Sequence, residues 1–363
     1  LQKQKNLDDI LAIDNDFGGY MKKMPTITRR GFLATSAGVA SLLAAPSLLS
    51  AQSAPVTMKV GTPTLNDVQH EWMKIFQRIL ESDSGGQIKV EIYPASQLGS
   101  IPRMIEGTQF GSIQAFVGPP EFLAGVDSRF EVLGAPGLFK DMAHANRAIQ
   151  DSGFNKAFLA LGANKGLKGI GLFVSGPTIF NTRTKIEKLA DFEGKKIRVL
   201  ASPIQTDQLK AVRATAVPMP LGEVLPALQQ GTIDGVMSVL SVLTALRFYD
   251  AAKYVVETDQ AMVTVAAVVS KQWYDKLSPA LQAKVDDAGR KTSIEVFPWA
   301  VDFTTKQRAA WKASGGEITE LSKADHDEFV KRVRPIGAEV TAKKPAEREL
   351  FELLLKTAEA TAS

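Results

Sequence analysis

The sequence predicts an α/β protein of two lobes. Three observations carry that reading: short stretches of period-two alternation recur between amphipathic stretches, the theme is stated once before residue 120 and again from residue 168, and a helical run of over thirty residues follows it. In order, Val56-Thr57-Met58-Lys59-Val60 alternates as a strand until Gly61, Pro63 and Asn66 break it. An amphipathic helix follows, with Trp72, Ile75, Phe76, Ile79 and Leu80 on one face. Ser84-Gly85-Gly86 ends it, Ile88, Val90 and Ile92 alternate, Met104 to Phe110 reads as a short helix, and Ile113 to Val117 as a buried strand. This βαβαβ order predicts a mostly parallel sheet covered by helices. The middle repeats it: strands near Lys168–Val174 and Lys196–Leu200, a helix over Ser202–Val212, a short strand at Ala216–Met219, a helix over Glu223–Gln230 and a strand at Gly235–Ser238. A strand at Met262–Ser270 precedes Ser278-Pro279, an N-cap followed by a first-turn proline. The helix it opens can run almost to Ser314. With Pro298 inside, it is expected to bridge both lobes and bend there. A last helix, Ala346–Ala360, carries the stripe Leu350, Phe351, Leu354 and Leu355, which must cover its own lobe or a second subunit.

Composition removes several function classes. At 45% hydrophobic and 23% charged residues the chain has ample material for two packed domains. With no Cys, thiol nucleophiles, zinc fingers, iron–sulfur clusters and disulfides are excluded. The three His residues, 70, 144 and 326, are far apart, and after His70 the run Glu-Trp-Met-Lys lacks the second His of a zincin, so no metal site is expected. A net charge of +4 with no basic stripe makes nucleic acid a poor partner. Gly169-Ile170-Gly171 lacks its third glycine, and no nucleophile elbow, P-loop or EF-hand loop is present, so no cofactor is expected. Trp72 is expected in the core and His144 on a helix surface.

The N-terminal region reads as an address. From Met21 to Ala54 a basic start, Arg29-Arg30 and an uncharged stretch rich in small residues form a secretory signal, and Thr28-Arg29-Arg30-Gly31-Phe32-Leu33 resembles the twin-arginine motif. Pro46 and the abundance of Ala, Ser and Gly make the stretch too weakly apolar for an anchor. Residues 1–20 are expected to be a leader or a start placed too early. The mature part then works in the periplasm.

One strand carries a chemical suggestion. In Glu193-Gly194-Lys195-Lys196-Ile197-Arg198-Val199-Leu200, Arg198 alternates with Ile197 and Val199. A guanidinium inside a buried sheet is costly unless it meets an anion, and a planar carboxylate matches its fork. The same arginine could also reach solvent at the strand end.

From His70 to about Leu321 the chain resembles the solute-binding proteins of tripartite ATP-independent periplasmic (TRAP) transporters. The resemblance rests on Gly85-Gly86-Gln87-Ile88-Lys89-Val90-Glu91-Ile92-Tyr93-Pro94 with Ser96-Gln97-Leu98-Gly99, on Asp191-Phe192-Glu193-Gly194-Lys195-Lys196-Ile197-Arg198-Val199, and on Pro218-Met219-Pro220, Glu223, Ala227-Leu228-Gln229-Gln230-Gly231 and Ile233-Asp234-Gly235. It implies a two-lobed periplasmic-binding-protein fold that closes on an organic acid for a TRAP membrane permease, with no chemistry done on the ligand. It gives Arg198 the paired salt bridge to the ligand carboxylate and sets Leu221 against the ligand body. Ser238 stands where the founding members carry Asn, and Pro177-Thr178 where several carry an arginine. A site with one arginine favours a monocarboxylate, or an aromatic or hydroxy acid, over a C4-dicarboxylate. By analogy His70, Gln97 and Gly118 to Glu121 would line the other lobe, Glu121 either turned away or touching a ligand hydroxyl. The lobes implied are 55–175 with 264–303, and 176–263 with 304–363. The protein would be a monomer, or a dimer through its C-terminal helix. An exported α/β enzyme and a binding protein feeding a sensor kinase are the alternative functions.

Overall fold

The computed structural model describes residues 54–363. The leader and export signal expected over 1–20 and 21–54 therefore lie, but for Ala54, outside the described residues. Strand β1 (Val56–Gly61), helix α1 (Val68–Asp83), β2 (Ile88–Tyr93), α2 (Ile101–Phe110) and β3 (Ala115–Gly118) come first. After 3₁₀ turns at Pro120–Leu123 and Ser128–Gly134 come α3 (Met142–Gln150), α4 (Ser152–Leu159) and the long β4 (Leu167–Thr182). Next are β5 (Lys196–Val199), α5 (Pro203–Ala211), β6 (Thr215–Pro218), α6 (Leu221–Gln230), β7 (Gly235–Val239), α7 (Leu240–Ala245) and β8 (Tyr254–Ser270). The chain ends with α8 (Lys271–Tyr274), α9 (Pro279–Ala313), β9 (Glu317–Glu320), α10 (Lys323–Val333), α11 (Ile336–Thr341) and α12 (Pro345–Ala360).

The strands run in the order β2-β1-β3-β8-β4-β7-β5-β6, with β9 on β8. The sheet is mixed, which corrects the expectation of a mostly parallel one. β1 pairs parallel with β2 and β3, and β5 with β6 and β7, as the βαβ rhythm implies, but β4 is antiparallel to β8 and β7, and β3 to β8. The reason is that β4 and β8 are far longer than their local alternation suggests. One end of β8 pairs with β3 and the other with β9, while the far end of β4 takes β7. Two half-sheets thus share two continuous strands, and the fold is two-lobed. The β4/β8 register shifts between Val174 and Gly176 and again between Pro177 and Ile179, where the bulges re-aim both strands.

Helix α9 starts as expected, with Ser278 Oγ accepting from the Leu281 N–H at 3.4 Å and Pro279 in the first turn, and it continues through Pro298. It lies on β4 so closely that a Cβ on Gly289 would stand 2.1 Å from the Ile170 carbonyl oxygen. Trp72 is in the core, stacked between Phe76 and Phe173, its indole N–H donating to Ser293 Oγ of α9 at 3.2 Å. His144 is a correction: it is buried, its Nδ1 accepting from the Lys140 N–H and its Nε2 2.8 Å from the Ala358 carbonyl of α12. Leu350, Phe351 and Leu354 are likewise buried within the chain, where α12 packs on α3, α4, α11 and the 128–134 turn. Leu355, the fourth member of the stripe, stays exposed. Among the described residues no helix is long and apolar enough to cross a membrane.

Candidate functional site

Arg198 is the third residue of β5, with Val217 of β6 and Val236 of β7 beside it, so its backbone is held on both sides. Its side chain is 1% exposed. Nε donates to the Met219 carbonyl at 2.9 Å, and the buried Nη2 has no protein partner. Burial alone pushes its pKa down from the ordinary guanidinium range to about 10, with no charge among the described residues acting against that. The group remains cationic at neutral pH and is desolvated without a counter-charge, an arrangement that costs free energy until an anion arrives. The Phe122 ring centroid lies 6.0 Å from its Cζ, at the outer limit of a cation–π contact.

The guanidinium faces a cleft. Its polar wall is Thr64, Gln69, Thr178, Gln205 and Ser238 beside Arg198; its apolar wall is Phe122, Leu200, Leu221, Met237, Val242 and Val263, with Pro63, Pro119 and Val239 at the edges. The space between these atoms, counted out to the mouth, is about 470 Å³. The contributing segments are the β1–α1 loop, the turn after β3, β4, the end of β5 with the start of α5, the start of α6, β7 and β8, so both half-sheets supply walls. Several polar groups are already committed. Thr64 Oγ1 donates to Asp67 Oδ1 at 2.8 Å and Gln69 Nε2 to Asp67 Oδ2 at 3.3 Å, while Gln205 Oε1 accepts from the Leu200 N–H at 2.9 Å. Asp67, the N-cap of α1, has its pKa raised by burial, against the hydrogen bonds it accepts from His70 N–H, Thr64 and Gln69.

The structure brings Arg198, Thr178, Leu221 and Ser238 to this one cleft. It does not bring His70, Gln97 and Gly118 there, and these are corrections; Glu121 is turned away, one of the two placements expected for it. His70 Nδ1 accepts from the Asn66 N–H at 3.1 Å, closing the loop whose αL residue is Asn66 at φ 53°, and burial lowers its pKa. Gln97 sits exposed in a turn after Ala95 and Ser96, both at positive φ, its N–H donating to the Pro94 carbonyl. Gly118 packs against the Phe116 ring, which a Cβ there would meet at 2.6 Å. Glu121 is buried and turned onto Gly134, whose Cβ would stand 2.8 Å from Oε1. Desolvation raises its pKa from 4.5 to about 8, with the Glu131 charge adding to the rise, so it is protonated at neutral pH and repels no acid. Beside them other residues line the cleft: Gln69 next to His70, Phe122 next to Glu121, and Pro119 within the expected Gly118–Glu121 segment. Sequence reasoning singled out none of Gln69, Phe122, Leu200, Gln205, Met237, Val242 and Val263 as lining, although Leu200, Gln205, Met237 and Val263 lie inside elements it predicts.

A more open groove lies beside the first part of β4, where Lys168 and Lys271 are already paired with Asp286 and Asp275 at 2.7 and 2.5 Å. It offers no desolvated charge comparable to Arg198. Among the described residues no group of His, Asp and Glu could hold a metal ion.

Comparison with known proteins agrees with the fold. The model of the family described as bacterial extracellular solute-binding protein, family 7, matches residues 60–344. The chain is 30% identical to the 2,3-diketo-L-gulonate-binding periplasmic protein YiaO of Escherichia coli over 86% of its length and 93% of that protein's. It is 27% identical to the C4-dicarboxylate-binding periplasmic protein DctP of Rhodobacter capsulatus, covering 87% of this chain and 97% of that one. The crystal structure of a TRAP periplasmic solute-binding protein from Desulfovibrio salexigens, with bound orotic acid, superposes with a TM-score of 0.78 at 27% identity, covering 84% of this chain and 99% of that one.

Proposed function

The chain belongs to bacterial extracellular solute-binding protein family 7, and on that premise we propose that it captures an organic monocarboxylate between its lobes, with Arg198 holding the carboxylate, and delivers it to a TRAP membrane permease. The observation that carries this is the buried guanidinium whose Nη2 has no protein partner. A carboxylate supplies the missing charge and the missing acceptor at once, and charge-assisted bonds formed in a water-poor cleft are strong. Arg198 is the sole cation lining the cleft among the described residues, and Pro177-Thr178 stand where the resemblance puts an arginine in several members of the family. That supports an acid with one carboxylate, as orotic acid is in the Desulfovibrio protein.

The lobes proposed are 55–175 with 264–303, and 176–263 with 304–363. The register shifts at Val174–Gly176 and Pro177–Ile179 make the β4/β8 pair the natural hinge, and α9 packs against α1 and β4 and also against α7. The packing of α12 on α3, α4 and the 128–134 turn supports moving the chain's end, from α12 on, out of the second of these lobes and into the first. Export is proposed to use the twin-arginine segment Thr28–Leu33.

Calorimetric titration of wild type and Arg198→Ala with mono- and dicarboxylic acids tests this reading. Removing the guanidinium should weaken binding of the preferred acid by roughly 2–5 kcal/mol, the cost of truncating one member of a buried charge pair. Unchanged affinity would overturn the role of Arg198, and succinate or malate binding more tightly than every monoacid would overturn the single-carboxylate preference.

A further inference from the structure

This inference rests on the carboxylate reading and concerns the rest of the ligand. Leaving aside the carboxylate anchor, the cleft holds few free polar groups. The hydroxyl of Thr64 and the amide of Gln69 donate to Asp67, and the oxygen of Gln205 is taken by the Leu200 N–H. What remains beside Arg198 is the hydroxyls of Thr178 and Ser238 and the NH₂ group of Gln205. Facing them are Phe122, Leu200, Leu221, Met237, Val242 and Val263, none of which can accept or donate. The carboxylate has two oxygens to satisfy and will draw on some of these donors as well as on Nη2.

We propose that the cleft selects a compact monocarboxylate with an apolar body, bearing at most a single oxygen beyond the carboxylate, and rejects polyhydroxylated acids. Each ligand hydroxyl moved from water to the apolar wall without a partner weakens binding by roughly ten- to a hundredfold. A sugar acid carries several such hydroxyls, and the donors left over cannot serve them. An aliphatic or aromatic body instead buries apolar surface against Phe122, Leu221 and Met237 and loses nothing. This separates the chain from YiaO, whose 2,3-diketo-L-gulonate is a hydroxylated acid.

The test is titration of the purified protein, wild type and Arg198→Ala, with isovalerate, 3-methyl-2-oxobutanoate, benzoate, D-glucuronate and D-gluconate. The expected result is an apolar-bodied acid bound at least a hundredfold more tightly than either sugar acid, with that binding lost in R198A. Glucuronate or gluconate binding most tightly, and depending on Arg198, would overturn the selectivity while leaving the carboxylate anchor standing. Tight binding that Arg198→Ala does not alter, or no binding of any acid in the set, would overturn both.

Discussion

A ligand-binding arginine that has no partner in its own chain should be a burden to the unliganded protein. Replacing it by methionine, Arg198→Met, keeps an unbranched apolar stem and removes the charge. Burial pushes the pKa of Arg198 down from the ordinary guanidinium range to about 10, and at 1.36 kcal/mol per unit this puts the desolvation cost at roughly 3 kcal/mol. Against that, the substitution loses the hydrogen bond from Nε to the Met219 carbonyl, which as a charged bond contributes about 1.5 kcal/mol or somewhat more. Met219 is only partly buried, so water can replace the lost donor. The net expectation is a gain of about 1 kcal/mol. With an unfolding entropy of about 2.1 cal/mol/K per residue over the folded part, that raises Tm by roughly 1–2 °C. Differential scanning calorimetry of ligand-free wild type and variant reads this directly, and the same scans with ligand should show its stabilisation only in wild type. A ligand-free Tm lowered by several degrees would refute the reasoning, because it would mean the guanidinium is already compensated inside the protein.

Other consequences follow from groups away from the anchor. Glu121 keeps its proton to about pH 8 when folded against about 4.5 when unfolded, so its contribution to stability is full below the lower value and is lost as pH rises through the upper one. Urea unfolding at pH 5.5 and 8.5 should therefore show E121Q losing less stability than wild type over this interval, by a few kcal/mol at most; identical pH dependence in the two proteins would contradict the buried protonated carboxyl. Gly289→Ala forces a methyl into the Ile170 carbonyl and should cost on the order of 2–3 kcal/mol by separating α9 from β4; an unchanged urea midpoint would show that the helix rides more loosely than described. Glu131→Ala strips the acceptor from Ser202 Oγ at 3.1 Å and the partner from Lys344 Nζ at 3.2 Å, and a loss of about 1–3 kcal/mol is expected in the same assay, with no loss at all counting against a structural role for the pair.

Much of the fold is legible in the sequence because local patterning and tertiary packing agree. Ser278-Pro279 opens α9 with the cap geometry its residues favour, and the strands of the two βαβ repeats lie within a few residues of their alternating stretches. The length of β4 and β8 is not legible. Ser175-Gly176-Pro177 looks like a strand end, yet bulges let the strand pass through it, and Asp259 at φ 47° interrupts the alternation of β8 in the same way. The burial of His144 leaves no local sign, because the helix that covers it, α12, comes more than two hundred residues later. Arg198 stands out because a charged residue in an apolar strand demands an explanation. The residues around it do not, since Phe122, Met237, Val242 and Val263 look like any core residue until the chain folds. Two candidates from the first half-sheet miss by one position, because a turn that places Phe122 in the cleft points Glu121 away from it, and the helix start that offers Gln69 holds His70 outside.

The most direct test of the central claim is a crystal structure of the protein with its tightest-binding monocarboxylate. The account predicts a carboxylate oxygen about 2.7–2.9 Å from Arg198 Nη2, the separation of a charge-assisted hydrogen bond, with the acid's apolar body against Phe122 and Leu221. A carboxylate seated elsewhere, with Nη2 still lacking an acceptor, would contradict it.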